Sequence, residues 1–308
     1  MAAIDGMEDS MKILIAGASG MIGSAVAPYL ANQGHEVARL VRRAPRTGEV
    51  RWDPDLGTID MAGLEGFDGV VHLASKPWPA RWTPKAKQQI YDNRMQTNSL
   101  LAENLARCIH KPRVLVCASG MGIYPSSGDT LITEDNLVGT DFLAQLQRDG
   151  EAATAPASAA GIRVVNLRIP GVLGGAGLKR NMGRIGNGRQ WSSWVGRDEL
   201  ASIIEFVLLA EALTGPVNPV SPNPVRNAEF ATTLSRVLGR RPGMPVPAFL
   251  LRMMLGEMAE TLILASRRIV PAKLLAAGYR FRFPELDGAL RHELGKGAPG
   301  GSNTQASN

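Results

Sequence analysis

The sequence has 308 residues, of which 44% are hydrophobic and 20% are charged, and it carries a formal net charge of +6. This composition is typical of a globular protein with a large core and excludes a disordered or fibrous chain. Because Lys and Arg are scattered, the positive charge indicates a solvated surface and a pocket for an anion. It does not favour a nucleic-acid interface.

The spacing of the cysteines and the hydropathy of the chain exclude several further classes of protein. Cys108 and Cys117 lack the spacing of metal ligands, so we expect no metal, zinc or otherwise, and no disulfide. Residues 1–10 contain acidic groups and no apolar signal-peptide segment, and they predict a flexible extension. There is no run of 18 apolar residues, so we expect a cytoplasmic protein that does not contact membranes.

Short apolar runs alternate with longer amphipathic segments through the first two-thirds of the chain. Strands are predicted at residues 12–16, 36–41, 50–52, 69–73, 113–117 and 162–167, and helices at 21–33, 84–110 and 142–160. This alternation implies right-handed crossovers and helices on both faces of the sheet. The predicted fold class is α/β, a Rossmann-type doubly wound parallel sheet with a small, mostly helical C-terminal lobe.

The pattern changes after residue 173, where Gly-rich and polar loops surround Trp191 and Trp194. Further along, we predict helices at 198–213, 227–238 (capped by Asn227), 248–255, 257–268, 271–277 and 284–294, and strands at 216–220 and 279–283. The predicted domains are the extension 1–10, an NADP-binding Rossmann domain with inserted substrate loops 11–238, the helical lobe 239–294 and a disordered tail 295–308.

A glycine-rich turn follows the first strand, and it reads Gly17-Ala-Ser-Gly-Met-Ile-Gly23. Gly17 permits a tight turn, Gly20 lets the backbone approach a pyrophosphate, and Gly23 lets the next helix pack closely on the strand. The N-terminus of that helix adds free N–H groups and the positive end of its dipole. The predicted phosphate cradle consists of Gly17, Ser19, Gly20, Met21, Ile22 and Gly23.

The end of the second strand distinguishes between the two nicotinamide dinucleotides. A carboxylate at this place would hold the ribose hydroxyls of NAD. The chain instead has two arginines, Arg42 and Arg43, and a guanidinium can bind a 2′-phosphate through two hydrogen bonds. We therefore expect NADP(H), held by Arg42, with a pair of solvated surface arginines as the alternative.

Several further motifs lie along the chain: 81–84 (RWTP), 118–124 (ASGMGIY), 188–191 (GRQW), 224–227 (PVRN) and 255–259 (LGEMA). With the glycine turn they resemble the extended short-chain dehydrogenase/reductase family. The likeness is to its epimerase-like subgroup of NAD-dependent epimerase/dehydratase proteins, also called cell-division-inhibitor-like. The resemblance implies a C-terminal helical domain. Beyond the cradle and Arg42, the predicted cofactor contacts are Leu73, Ala74, Arg94, Ser119 and Val172.

The chain departs from the family at its reacting residues. The resemblance implies a catalytic Asn, Ser, Tyr and Lys, with the Tyr and Lys four residues apart. Leu143 and Gln147 stand at the Tyr and Lys positions, Arg94 at the Asn position and Gly120 at the Ser position. The usual proton-transfer residues are therefore absent.

Two residues remain as candidates for the chemistry. Tyr124 follows the fifth strand and is the predicted proton donor, with Ser119 as a hydrogen-bond donor beside it. Arg94 is a candidate cation for lowering the pKa of the phenol. A packed loop residue is the alternative for Tyr124, and an exposed helix charge or a group that fixes a loop is the alternative for Arg94.

Two functions remain open from the sequence. The first is an NADP-dependent oxidoreductase or epimerase acting on an unidentified small carbonyl or sugar-like substrate. The second is a non-catalytic NADP(H)-binding sensor or regulatory protein. Helices 84–110 and 142–160 would form the face of a homodimer. Four tryptophans either wall a substrate pocket or anchor the lobe, namely Trp78, Trp82, Trp191 and Trp194.

Overall fold

The computed structural model describes residues 10–79, 81–179 and 182–296. Most of the predicted extension and tail lies outside the described residues. The strands are β1 Lys12–Ala16, β2 Glu36–Val41, β3 Glu49–Asp53, β4 Thr58–Ile59, β5 Gly69–His72, β6 Val114–Gly120, β7 Leu131–Ile132, β8 Arg163–Ile169, β9 Gly171–Leu173, β10 Trp191–Ser192, β11 Trp194–Gly196, β12 Gly215–Val217, β13 Val225–Arg226 and β14 Arg268–Ile269. The α-helices are α1 Gly23–Asn32, α2 Pro84–Arg107, α3 Phe142–Ala152, α4 Ala155–Ala159, α5 Arg197–Leu209, α6 Asn227–Leu238, α7 Ala248–Leu255, α8 Ala272–Ala276 and α9 Leu286–Glu293.

Eight strands form the central sheet, in the order β12-β8-β6-β5-β1-β2-β3-β4. All neighbouring pairs are parallel except β3 and the short edge strand β4. The chain runs outward from β1 through β2 and β3, then returns to the other side of β1 at β5. A crevice therefore opens between the carboxyl ends of β1 and β5, where α/β sheets bind their ligands.

Successive side chains of the central strands point alternately into two separate hydrophobic cores, one on each face of the sheet. Ile13 and Ile15 of β1 pack into the layer that contains α1 and α5. Leu14, between them, points the other way and packs with residues of α2 and α4. Because successive strand residues face opposite sides, an uninterrupted apolar run such as β1 requires helices on both faces. The predicted doubly wound α/β fold with a helical C-terminal region is confirmed.

The predicted helix 142–160 is wrong as one element, since it is divided into α3 and α4. Pro156 lies in the first turn of α4 and has no N–H to donate to the turn before it. The hydroxyl of Thr154 instead donates to the carbonyl of Glu151 at 2.6 Å. The chain changes direction at this point, so that α4 packs against α2 beneath the sheet.

Two predicted elements of the lobe are also wrong. Residues 257–268 are helical only as far as residue 263, with a π-helical turn at Ala259–Ile263, and the chain then extends into β14, which pairs with β7. Residues 279–283 form no strand, because the carboxylate of Glu199 accepts the N–H groups of Arg282 and Phe283 that a ladder would need. Both segments are shaped by contacts to residues far away in the sequence.

Asn227 does not cap α6 as predicted. Its side-chain oxygen accepts the backbone N–H of Ile185 at 2.7 Å, and the residue before the helix is Arg226. The division of the chain into domains stays a prediction. Within the described ranges, no helix has both the length and the apolar character needed to cross a membrane.

Candidate functional site

A cleft of about 440 Å³ opens at the carboxyl ends of β1, β2 and β5. Its wall is made by the glycine turn after β1, the arginines after β2 and the segment after β5. Among the predicted cofactor contacts, the cleft brings together Gly17, Ser19, Gly20, Arg42, Leu73 and Ala74. The cleft lies at the topological switch point, which is the crevice between the carboxyl ends of β1 and β5. Its volume suits one end of an extended dinucleotide.

The three glycines of the turn serve different purposes. Gly17 has φ +85°, and a Cβ there would lie 2.7 Å from the backbone nitrogen of Ala74. A Cβ on Gly23 would lie 2.2 Å from the carbonyl oxygen of Gly17, so α1 begins against the turn itself. Gly20 is exposed, its N–H donates to that oxygen at 3.0 Å, and a Cβ on it would lie 3.3 Å from the same oxygen. Gly17 and Gly23 are required by the fold, whereas Gly20 leaves open backbone facing the cleft.

The start of α1 suits an anion. No acidic residue lies in its first turn, and no side chain caps its N-terminus within the described part of the chain. The positive end of the helix dipole therefore points at the turn without a protein carboxylate to neutralise it. Met21 is exposed at this end, while Ile22 packs partly against the core.

The two arginines after β2 differ in their surroundings. Arg43 is bound to the carboxylate of Glu49, and this hydrogen bond lowers the pKa of Glu49. Arg42 lines the cleft, is exposed and forms no ion pair with any described residue. The charge of Arg42 helps to lower the pKa of Asp55, whose carboxylate is paired with Lys76 at 2.7 Å. Arg42 is therefore available for a ligand, as is Arg39 of β2, which also lines the cleft, is exposed and pairs with no carboxylate of the described residues.

Arg94 and Val172 lie outside this cleft. The guanidinium of Arg94 is desolvated, and its Nη1 donates to the carbonyl of Ala118 at 3.0 Å. Burial lowers the pKa of Arg94. This contact favours the alternative that Arg94 fixes the loop after β6. Val172 instead lines a second cavity beside β9.

Ser119 lies at the carboxyl end of β6 and is half-buried. Its hydroxyl donates to Glu151 at 2.7 Å. Arg168 holds the same carboxylate through two nitrogens, each at 3.0 Å. Sequence reasoning missed Arg168 and Glu151 as parts of the site. The signal was a charged residue inside the otherwise apolar run of β8, since such a charge needs a buried partner.

The structure disagrees with the proton-donor role predicted for Tyr124. The residue is 0% exposed, and its hydroxyl donates to Asn218 and accepts from Arg168, both at 2.9 Å. Burial raises its pKa, although Arg168 opposes this effect. With its donor used and no exposure to solvent, this hydroxyl has the surroundings of a packed side chain and not those of a proton donor. The packed-loop alternative describes this position.

A Tyr124→Phe variant tests that structural role. We expect its free energy of unfolding to fall by about 1–3 kcal/mol, because Asn218 and Arg168 lose a buried partner. NADPH affinity should not change. Chemical denaturation measures the first quantity and fluorescence titration the second. Tyr91→Phe is the control, since the Tyr91 hydroxyl is less buried and bonds to Asp149. A Tyr124→Phe protein as stable as the wild type, but without turnover, would restore the catalytic interpretation.

His72 ends β5 beneath the cleft. It is 1% exposed, and its Nε2 lies 3.1 Å from the side-chain oxygen of Asn98. Burial lowers its pKa to about 4, and the charge of Arg94 acts in the same direction. The ring is therefore neutral at physiological pH and packs as a structural side chain at the end of β5.

The second cavity has a volume of about 400 Å³ and lies between β9, β11, α6 and the π-helical turn Ala259–Ile263. Trp191 and Trp194 line it. Trp78 and Trp82 stack edge to face with centroids 5.7 Å apart, and Trp82 packs on Phe142 at 5.6 Å. Trp78 also lines a cavity of about 410 Å³ at the start of α2. Three of the four tryptophans thus line cavities, and Trp82 packs between Trp78 and Phe142.

Comparison with known proteins gives two family matches. Residues 13–217 match the model of the NAD dependent epimerase/dehydratase family. Residues 246–293 match a domain of unknown function. The first match contains the glycine turn, the arginines after β2 and the strands of the central sheet, and the second contains most of the predicted lobe.

Individual relatives are similar to this chain over more than nine-tenths of its length. An epimerase family protein of Mycobacterium leprae is 37% identical over 292 residues, which are 91% of this chain and 94% of that protein. The crystal structure of human epimerase family protein SDR39U1 with NADPH is 31% identical, has a TM-score of 0.80 and is matched over 92% of this chain and 98% of its own. A nucleoside-diphosphate sugar epimerase from Corynebacterium glutamicum is 34% identical with a TM-score of 0.79, over 93% of this chain and 59% of its own.

Proposed function

Because the chain belongs to the NAD dependent epimerase/dehydratase family, we propose that it is an NADP(H)-binding oxidoreductase or epimerase. Its substrate would be a small carbonyl or sugar-like compound. One observation carries the cofactor choice: Arg42 faces the cleft without an ion-pair partner among the described residues. The human relative crystallised with NADPH gives this choice independent support.

The residues of the cleft fit the cofactor by shape and by charge. The exposed backbone at Gly20 and the uncapped start of α1 receive the pyrophosphate. Arg42 binds the 2′-phosphate, and Leu73 and Ala74 form the wall opposite the glycine turn. When bound, the cofactor supplies hydride exchange with a substrate carbon.

Ser119 is the residue that we propose to contact the reacting oxygen of the substrate. It lies at the carboxyl end of β6, the strand next to β5 in the sheet. Because its hydrogen is donated to Glu151, its oxygen is left to accept a hydrogen bond from an alcohol. The ion pair of Glu151 with Arg168 holds this hydroxyl in one orientation.

The binding step is tested by fluorescence titration of the purified protein with NADPH and with NADH. We expect NADPH to bind at least about tenfold more tightly, because the charged hydrogen bonds to a 2′-phosphate contribute about 1.5–3 kcal/mol. Absence of measurable affinity for either dinucleotide would end the proposal. Equal affinity for NADPH and NADH would leave the cleft as the proposed dinucleotide site but would reject the proposed contact of Arg42 with the 2′-phosphate.

A non-catalytic NADP(H)-binding sensor is the second candidate, and one observation favours it. The tyrosine that follows β6 is sequestered, since the Tyr124 hydroxyl is fully bonded inside the protein. Incubation of the NADPH complex with a panel of carbonyl compounds separates the two candidates. Oxidation of NADPH with any of them supports the enzyme, and binding without turnover supports the sensor. Homodimer formation and cytoplasmic location stay predictions.

A further inference from the structure

The cavity beside β9 is apolar over most of its surface. Its described lining includes no acidic side chain and one cationic side chain, Arg267. The polar groups besides Arg267 are Ser192, Ser193 and Asn227, and the apolar wall includes Val172, Leu173, Trp194, Phe230 and Leu262. A nucleotide sugar would bring many hydroxyls and two phosphates into a space with few partners for them. The lining suits an apolar molecule instead.

Arg267 is nearly buried, with 3% of its surface exposed. Its Nε donates to the carbonyl of Tyr124 and its Nη1 to the carbonyl of Thr261, each at 2.7 Å. No carboxylate of the described residues lies within ion-pair distance of it. Burial lowers the pKa of Arg267, although a guanidinium stays charged in proteins. The charge is thus desolvated and held in place by two neutral acceptors.

A buried charge without a counter-ion in contact is costly. Asp141 acts on Arg267 only from beyond ion-pair distance, so an anionic ligand in contact with the guanidinium would reduce this cost. The two bonds of Arg267 point to the loop after β6 and to the π-helical turn, and its Nη2 has no acceptor among the described residues. Since Arg267 also lines the cavity, an anion inside the cavity can complete its hydrogen bonds.

We propose that this cavity binds a substrate with an apolar body and a carboxylate, and that Arg267 pairs with the carboxylate. The inference rests on the proposed function, because it names the substrate class for the same protein. A carboxylate fits better than a phosphate, since a doubly charged group would leave one charge unpaired beside a single cation. The apolar body lies against Trp194, Phe230 and Leu262.

The experiment measures binding of two probes by calorimetry, sodium octanoate and octan-1-ol, to protein saturated with NADPH. The probes share an apolar chain and differ in charge. We expect octanoate to bind at least about tenfold more tightly than octanol. Arg267→Gln should remove this preference and retain octanol binding, and Arg267→Lys should restore part of it. Arg280→Gln, which changes an exposed arginine of the same region, is the matched control.

Ala265→Phe is a second variant, because it fills the cavity without touching the hydrogen bonds of Arg267. Ala265→Phe should weaken the binding of octanoate and of octanol by the same factor. This variant keeps the test decisive if Arg267→Gln does not fold. Equal affinity of the wild type for the two probes would overturn the proposal, as would unchanged binding of both probes to Ala265→Phe or an octanoate preference that survives in folded Arg267→Gln. NADPH affinity is measured in the same samples, so failure of cofactor binding is recognised separately from failure of carboxylate binding.

Discussion

Replacement of Arg42 by aspartate should weaken NADPH binding by about 10- to 100-fold and change NADH binding by less than about fivefold. The guanidinium is the unpaired cation at the end of β2, and a carboxylate in its place would repel a 2′-phosphate. NADH has no such phosphate, so the exposed charge at residue 42 affects NADH binding only through its weaker, screened interaction with the rest of the dinucleotide. Fluorescence titration of both dinucleotides measures the ratio.

The matched control for this variant is Arg51→Asp. Arg51 is exposed on the neighbouring strand β3 and does not line the cleft, so the same change in net charge should leave the ratio unaltered. A parallel loss of NADPH and NADH affinity in Arg42→Asp would mean that the arginine holds the fold of the cleft or a shared part of the cofactor. Raising the salt concentration should reduce the difference between the dinucleotides in the wild type, because the contact is exposed.

Gly23→Ala should lower the free energy of unfolding by about 3 kcal/mol or more, and the melting temperature by about 6 °C or more. The added Cβ would lie 2.2 Å from the carbonyl oxygen of Gly17 and 2.7 Å from the Cα of Ala18. Both neighbours are backbone atoms, so α1 has to move away from the turn. Thermal unfolding monitored by circular dichroism gives the size of the effect.

Ser24→Ala is the control for Gly23→Ala, since Ser24 is the next residue of α1, exposed, and bonded only to the carbonyl of Met21. Its melting temperature should match that of the wild type. A Gly23→Ala protein that melts with the wild type would show that the turn adapts to a methyl group. The proposed division between Gly23, required by the fold, and Gly20, required by the ligand, would then be wrong.

Much of the nucleotide-binding half could be predicted from the sequence because its signals are local. The apolar run of β1, the glycine turn and α1 lie within about twenty consecutive residues, and strand, turn and helix each follow from neighbouring side chains. The arginines after β2 were recognised in the same way, by their position at a strand end. The family resemblance read from these and the further motifs was confirmed.

The roles of individual polar side chains could not be predicted in this way. Tyr124 was predicted to be a proton donor from its position after β6, but its hydroxyl is bonded to Asn218, 94 residues further along. The choice of Arg42 over Arg43 depends on Glu49, which takes the second arginine as its partner. In both cases the residue type was read correctly, and the role was decided by a partner that the local pattern does not contain.

The sequence by itself determined the doubly wound sheet, the glycine turn after β1 and the start of α1 against that turn, because each depends on backbone geometry set by neighbouring residues. Tertiary structure alone decided which polar groups are satisfied and which remain available to a ligand. Arg267 shows the reason: its two acceptors and its cavity come from segments up to 143 residues away. Whether a charge is paired depends on the complete set of neighbours, and only the folded chain supplies that set.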